Sequence, residues 1–399
     1  MPEQGSLFPS RGRLGRYDVL AKIADGGMAA VYVARRDDGE LVALKCIRDD
    51  LARSKEFLTM LLDEAKIVSY LRHPNIVRYH ELGDEEGHAF LAMELLLGQS
   101  LWSVWEACRA RGVRLRYDMI AWIGARVADG LHYAHELTDA AGVSLGIVHR
   151  DVNATNVFVT YDGEVKVIDF GLAKAVNRAY KTAAGVIKGK VAYMSPEQAL
   201  ADAVDRRTDV FALATTLWEL ACDRRLFKSK DDVETLARVH EARVPEPARI
   251  VEGFPPALWA ILKRALARSP EDRQQTAAEL ARELDAFAGP EMNASVVANV
   301  MRELFAEDRA RQLAWIAEAS LPGPRRDTPP LKPRSTFYGE DPPASVAPQV
   351  PPPGLALGFV RPSHARAPHA DSTTRRLVPI VLVIAVVVAL VVIVALAIR

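Results

Sequence analysis

Residues 147–171, IVHRDVNATNVFVTYDGEVKVIDFG, constrain this chain more than any other stretch. VFV and VKVI are short β-branched runs on either side of a Tyr-Asp-Gly-Glu turn, which predicts a hairpin. The loop before the hairpin carries His149, Arg150, Asp151 and Asn156; the loop after it carries Asp169, Phe170 and Gly171. Two acids and an amide are thus delivered to one end of two strands, close enough to share a divalent metal and a substrate hydroxyl.

Phosphoryl transfer calls for that set, because its catalysis is mostly positioning and charge neutralisation by oxygen ligands and a metal. The order H-R-D-x-x-x-x-N followed by D-F-G resembles the catalytic core of the protein kinase family. The resemblance implies that Asp151 orients the attacking hydroxyl while Asn156 and Asp169 hold Mg²⁺, with Mn²⁺ as an alternative, on ATP. It departs from the Ser/Thr-kinase pattern at Asn153, where that group usually has lysine, so a cation expected near the transferring phosphoryl group is missing there.

Upstream, Tyr17 to Arg48 reads as three strands. Ala24-Asp25-Gly26-Gly27-Met28-Ala29 stands where the family has its glycine-rich loop; Gly26 keeps the middle glycine and alanines take the outer two. Val42-Ala43-Leu44-Lys45 resembles the family's V-A-I-K. Its lysine is then expected to grip the phosphates and to pair with Glu64 on a helix over 54–71. Ile23, Ala24, Gly26, Gly27, Val31 and Ala43 would cover the nucleotide. In Phe90-Leu91-Ala92-Met93-Glu94-Leu95-Leu96-Leu97, a strand running into a connector at Gly98, Met93 is the gatekeeper by resemblance. The backbone of Glu94 to Leu96 would bond adenine. Trp102 to His135 alternates as two helices.

Downstream, 169–197 resembles an activation segment that ends in Ser195-Pro196-Glu197 and has Lys190 where Ser/Thr kinases commonly put threonine. Thr182 is a candidate regulatory phosphate site, with Arg150 as its partner. Asp209 fits the buried aspartate that anchors the catalytic loop, and Arg273 fits the arginine that pairs with Glu197.

Composition sets the outer limits. Lysine plus arginine equals aspartate plus glutamate, 51 against 51, which speaks against a nucleic-acid-binding surface. Cys46, Cys108 and Cys222 show no metal-ligand spacing and suit a reducing compartment, and a strand would point Cys46 away from the Lys45 face. The first sixteen residues lack the apolar core of a secretory leader. Residues 294–320 read as one amphipathic helix. Thirteen of the 24 prolines fall in 321–376, predicting a disordered tether. Leu377 to Ile398 is uncharged and apolar; as a helix it spans about 33 Å, enough for a bilayer core, and Arg375 and Arg376 favour a cytoplasmic N-terminal side.

The fold expected is α+β and bilobal, a small β-rich lobe and a larger helical lobe. The divisions are a tail at 1–16, a kinase domain at 17–288, a helical extension at 289–320, a Pro-rich linker at 321–376 and a transmembrane helix at 377–398. The resemblance implies a bacterial protein kinase of the Ser/Thr group, in the inner membrane with its kinase domain in the cytoplasm. It would take ATP and protein substrates, autophosphorylate and leave room for a homodimer. The alternative is a pseudokinase serving as an ATP-binding membrane scaffold, for which Ala24, Ala29, Asn153 and Lys190 argue. A small-molecule kinase of similar fold is disfavoured by the recognisable segment that leads to Pro196 and Glu197.

Overall fold

The computed structural model describes residues 12–25, 29–48, 70–85, 88–170, 190–319 and 359–360. It divides into two units at Ser363; every described residue belongs to the first, and residues 364–399 lie outside the description.

The small lobe is a six-stranded antiparallel sheet in the order β1-β2-β3-β4-β6-β5. Its strands are β1 (Gly12–Leu14), β2 (Tyr17–Asp25), β3 (Ala29–Arg36), β4 (Leu41–Ile47), β5 (Tyr79–Glu85) and β6 (His88–Glu94). The first of them falls in the stretch read from the sequence as a tail, so the sheet begins five residues earlier than expected. Side chains alternate across the sheet. Tyr32, Ala34, Val42, Leu44, Cys46 and Ala92 pack on one face with Leu14 and Tyr17. The opposite face carries Val31, Lys45, Ala43 and Met93, brought side by side by the pairs Val31↔Lys45 and Ala43↔Met93.

The larger lobe opens with β7 (Gly98–Ser100), α1 (Leu101–Ala110), β8 (Arg114–Leu115) and α2 (Tyr117–His135), followed by the hairpin β9 (Val157–Thr160) and β10 (Val165–Val167). After it come α3 (Pro196–Ala199), α4 (Arg207–Cys222), α5 (Asp232–Glu241), α6 (Pro256–Ala265) and α7 (Ala277–Ala288). Helix α4 is buried at every position from Thr208 to Cys222, the mark of a helix at the centre of a lobe. The lobes are stitched together by 73–77: Val77 N–H donates to the Val167 carbonyl, Val167 N–H donates to the Asn75 carbonyl, and the Asn75 side chain donates to the Val165 carbonyl.

Two expectations for the region after the kinase lobes change. The helix read over 294–320 is two helices, α8 (Ala294–Leu304) and α9 (Ala306–Ala319), broken at Phe305, whose φ of −128° leaves the helical region. Helix α8 docks on the kinase itself. Its start lies against Gly163 in the β9–β10 turn, where a Cβ would meet the Ala294 carbonyl at 1.9 Å, and Arg111 donates to the Leu304 carbonyl at 2.7 Å. Within the stretch read as a disordered tether, β11 (Phe359–Val360) pairs antiparallel with Leu115 and Arg114 of β8. Among the described residues no helix is long and apolar enough to cross a membrane; the run 377–398 lies outside them.

Candidate active site

The catalytic loop, residues 149–156, is built on a carboxylate the sequence places sixty residues away. Asp209, on the first turn of α4 and 0% exposed, accepts the His149 N–H on Oδ2 and the Arg150 N–H on Oδ1, both at 2.8 Å. His135 Nε2 meets the same Oδ2 at 2.8 Å. Burial alone would raise the Asp209 pKa, but His135, His149 and the Arg150 amide outweigh it and hold the carboxyl below the ordinary range. Arg150 thereby sits at φ 66°, and Asp169 on the facing loop at φ 63°. Left-handed backbone at two non-glycine residues costs about 1–3 kcal/mol each and persists only where the surroundings over-determine it.

His149 is buried and bonded through both ring nitrogens. Nδ1 accepts the Asp151 N–H at 3.2 Å, so Nε2 carries the proton donated to the Ile168 carbonyl at 3.1 Å. Its ring meets Phe170 edge-on at 4.6 Å, which ties the HRD loop to the DFG stretch. Asn156 bridges the same two loops: its carbonyl accepts the Ile168 N–H at 2.9 Å.

The Asp151 carboxylate is held from both sides by amides. Asn156 Nδ2 donates to Oδ2 at 2.9 Å and to the Asp151 carbonyl at 2.8 Å. Asn153 Nδ2 donates to Oδ1 at 3.2 Å and to the same carbonyl at 3.0 Å. Asn153 was read from the sequence only as a lost cation; here it shapes the acid's surroundings, and Thr155 in turn bonds its Oδ1. A short polar side chain two residues from a turn acid was the available signal, since Asn readily bonds local backbone.

Lys45 crosses from β4 to this loop cluster, and its Nζ lies 2.6 Å from Asp169 Oδ1. The pairing expected from sequence was with Glu64, which lies outside the described residues, as do Gly26, Gly27 and Thr182. Tyr79 holds the other side of Asp169, its hydroxyl accepting the Asp169 N–H at 3.1 Å, a contact nothing in the motifs revealed. Asn156 Oδ1 has no partner among the described residues. An amide oxygen and a carboxylate are the hard donors Mg²⁺ takes alongside water and phosphate, so Asn156 and Asp169 fit that ion.

On the nucleotide side, Ala24 pairs with Val31, and Val31, Ala43, Lys45 and Met93 share one sheet face; Ile23 falls in the irregular register between Lys22 and Ala24. The Glu94 N–H is already donated to the Arg78 carbonyl at 2.8 Å. The adenine contact that the resemblance implies for this stretch would then fall to the Glu94 carbonyl and to Leu96, whose backbone has no partner among the described residues. The Glu94 side chain faces other work, accepting from Arg78 N–H at 2.8 Å and Lys166 Nζ at 3.0 Å.

The segment that closes the site ends in a second buried ion pair. Arg273, 0% exposed, donates from both terminal nitrogens to Glu197 at 2.8 Å and spends its remaining donors on the Ala267, Arg207 and Arg268 carbonyls. Gln198 Nε2 reaches the Arg150 carbonyl at 3.2 Å, so this segment and the catalytic loop are bonded together.

Comparison with known proteins agrees with that geometry. The protein kinase domain family matches residues 17–284. The tyrosine-protein kinase MasK of Myxococcus xanthus is 37% identical over 296 residues, 73% of this chain and 46% of MasK. The serine/threonine-protein kinase PknL of Mycobacterium tuberculosis is 35% identical over 293 residues, 72% of this chain and 70% of PknL. For PrkC of Bacillus subtilis, a serine/threonine-protein kinase, the figures are 32% over 268 residues, 67% of this chain and 39% of PrkC. This chain therefore spans less than half the length of two of these three relatives. The crystal structure of the M. tuberculosis PknI kinase domain superposes with a TM-score of 0.56 at 25% identity, over 71% of this chain and 99% of that one. With the HRD loop, the DFG acid and the β4 lysine assembled in one bilobal fold, and with bacterial serine/threonine kinases among its relatives, the chain belongs to the protein kinase family.

Proposed function

We propose that the chain transfers the γ-phosphate of ATP to Ser and Thr hydroxyls of proteins, its own included, in bacterial signalling. The observation that carries this reading is the convergence of Lys45, Asp169, Asn156 and Asp151 across the two lobes. The substrate hydroxyl would be accepted by the Asp151 carboxylate, which the amides of Asn153 and Asn156 hold in one orientation, and its proton would pass to that carboxylate as the new P–O bond forms. Lys45, paired with Asp169, stands where it can meet the ATP phosphates. A bound Mg²⁺ would supply charge neutralisation on those phosphates, with Asn156 and Asp169 as its protein ligands.

Membrane attachment belongs to the same proposal and rests on the apolar run 377–398 alone, with the kinase lobes on the cytoplasmic side of the inner membrane. Cytosolic proteins, membrane neighbours or a second copy would then bring the signal. A tyrosine acceptor is the second reading, favoured by Lys190 and by the likeness to MasK.

The deciding experiment incubates the full chain in detergent with labelled ATP and Mg²⁺, beside Asp151→Asn and Lys45→Met, and hydrolyses the product to phosphoamino acids. Label on Ser or Thr that both variants lose supports the proposal. Label on Tyr alone replaces the acceptor. ATP binding without label in any preparation leaves the scaffold reading in its place. Protease protection of the kinase lobes in right-side-out vesicles, with cleavage in inverted ones, tests the orientation.

A further inference from the structure

The kinase-family match ends at residue 284, yet the chain continues into α8 and α9 and packs them on the kinase. Their docking begins at the hairpin β9–β10, which two other segments approach at backbone range. A Cβ on Gly98, in the lobe connector, would meet the Val159 carbonyl at 2.2 Å; one on Gly163 would meet the Ala294 carbonyl of α8 at 1.9 Å. Glycine is required at both places because backbone fills the space a side chain would take. Tyr161, beside this hairpin turn, holds the connector on either side of Gly98. Its N–H donates to the Leu97 carbonyl at 2.9 Å, and its hydroxyl accepts from Gln99 Nε2 at 3.0 Å.

Helix α8 buries Val297, Val300, Met301 and Leu304. Arg111 fixes its end, donating to the Leu304 carbonyl at 2.7 Å and to the Ala107 carbonyl at 3.2 Å. The chain breaks at the next residue, Phe305, which is 2% exposed, so this joint sets the direction in which α9 leaves. On α9 the half-buried residues Asp308, Gln312 and Ile316 form one stripe at helical spacing, while Arg311, Leu313, Ala314 and Ala317 are exposed. The stripe meets the connector: Gln312 Nε2 donates to the Gly98 carbonyl at 3.5 Å. Burial pushes the Tyr161 phenol up to about 12, and the charges of Asp308, Arg311 and Arg309 act on it from the same helix.

We propose that α8 and α9 are part of the nucleotide site: they brace the lobe connector, with Gln312 as a positioning residue for Gly98, so that ATP affinity depends on their docking. This rests on the kinase reading above, in which the backbone of Glu94 to Leu96 meets adenine. Leu96 is two residues from Gly98, and a connector free to shift at Gly98 would hold the binding geometry for only part of the time. Apparent affinity falls in proportion to that fraction. The contacts named reach the connector, the hairpin turn and the end of α1, not residues 149–156. The brace therefore acts on ATP binding and leaves transfer from bound ATP unchanged.

The test titrates the full chain in detergent with the fluorescent nucleotide mant-ATP and measures label transfer beside it. The set is wild type, Gln312→Ala, Gln312→Glu, Gln312→Lys, Arg111→Ala and the double variant Gln312→Ala/Arg111→Ala. Gln312→Ala is expected to weaken mant-ATP binding about threefold, the scale of one neutral hydrogen bond. Gln312→Glu turns an acceptor on the carbonyl and should weaken it about tenfold, while Gln312→Lys keeps a donor and stays near wild type. Arg111 touches neither connector nor nucleotide, yet Arg111→Ala should weaken binding about threefold because it frees the joint. The double variant should fall short of the product of the two single effects, since both act through α9. In every variant kcat at saturating ATP and the unfolding midpoint should stay near wild type. Unchanged binding in Gln312→Glu and Arg111→Ala, Gln312→Lys as weak as Gln312→Glu, or effects that multiply overturns the brace and leaves the kinase reading standing. A lowered unfolding midpoint with unchanged binding makes the extension purely structural and overturns it too. A wild type that binds mant-ATP without transferring label overturns the kinase reading, and the binding series still decides the brace. No mant-ATP binding by wild type overturns both.

Discussion

The floor and the roof of this site are made in opposite ways. The floor, residues 149–156, is a polar lattice. His149, Asp151, Asn153 and Asn156 are all buried, their side chains bond within the loop or to Ile168, and the loop's two leading amides end on Asp209. The roof is a sheet face of Ala24, Val31, Ala43 and Met93 to which Lys45 brings a charge. A buried polar lattice is costly unless fully satisfied, so it admits essentially one geometry. An apolar face tolerates volume-conserving change and holds a ring by shape. Damage to the floor should therefore appear in kcat, and damage to the roof in the KM for ATP.

Asp209→Ala strikes the floor hardest. It leaves the His149 and Arg150 N–H groups and His135 without their acceptor, and the strained φ at Arg150 loses its support. We expect kcat to fall by about 10³-fold or more, since misplacing reacting groups by 1 Å already costs about 100-fold. Denaturant unfolding should show a loss of about 3–5 kcal/mol, the scale for breaking a buried charge network. Retention of wild-type kcat would mean that the lattice does not set the geometry of Asp151.

Lys45→Met keeps the length of the side chain and removes its charge from the roof. The partner Asp169 stays about a fifth exposed, so water can serve it and stability should change by less than about 1 kcal/mol. Transfer should fall by about 100-fold or more, with weaker ATP binding by fluorescence titration. This variant crosses the divide between floor and roof: an effect on kcat with ATP binding intact would place Lys45 functionally with the floor.

Much of the floor could be read in the sequence, and the reasons are local. Asp151, Asn156 and Asp169 sit in loops whose flanking strands are short and β-branched, so motif and element boundaries coincide. Asp209 and the Glu197–Arg273 pair were legible only through resemblance, because no pattern of spacing joins residues 59 or 76 positions apart. The Asn153–Thr155 clamp was missed: its effect lies in hydrogen-bond directions, which residue identity does not carry. Tyr79 was missed for a related reason, its ring counting as core while its hydroxyl serves Asp169. The two left-handed residues could not be foreseen, since neither Arg nor Asp demands that conformation. The break at Phe305 escaped because the apolar spacing continues across it.

Acid should weaken the anchors of the floor before anything on the roof. Burial would raise the Glu197 carboxyl, but the Arg273 fork and the Thr208 hydroxyl hold it below the ordinary glutamate value of 4.5. A carboxyl depressed in the folded state contributes stability that is fully present above its unfolded value and is lost as pH falls through the folded one. Asp209 acts in the same direction. Buried Glu219, raised chiefly by its own burial, acts in the opposite one. The unfolding midpoint of wild type should therefore fall as pH drops below about 4.5, and Glu197→Gln should flatten that fall. Scanning calorimetry across pH 3 to 6, at about one-unit steps, reads it. An equally steep fall in Glu197→Gln would remove this pair from the acid response.

The smallest effect is expected at Glu94, where floor and roof meet. Its side chain accepts from Lys166 and from the Arg78 N–H, while its own N–H is spent on the Arg78 carbonyl. The adenine contact implied for this stretch would then fall to its backbone carbonyl. Glu94→Gln keeps that carbonyl and the acceptor for Arg78, and it loses the ion pair with Lys166, whose carboxylate is about a quarter exposed. Partly exposed pairs contribute about 0–1 kcal/mol, so stability should drop by less than that and the KM for ATP should move by less than about threefold. Glu94→Pro is the contrasting change. It removes the N–H that bonds Arg78 and fixes φ at the lobe junction, and it should raise the KM while leaving a measurable kcat. If Glu94→Gln instead raised the KM tenfold with stability unchanged, the carboxylate itself would have to reach the nucleotide, and the roof would hold its ligand by charge as well as by shape.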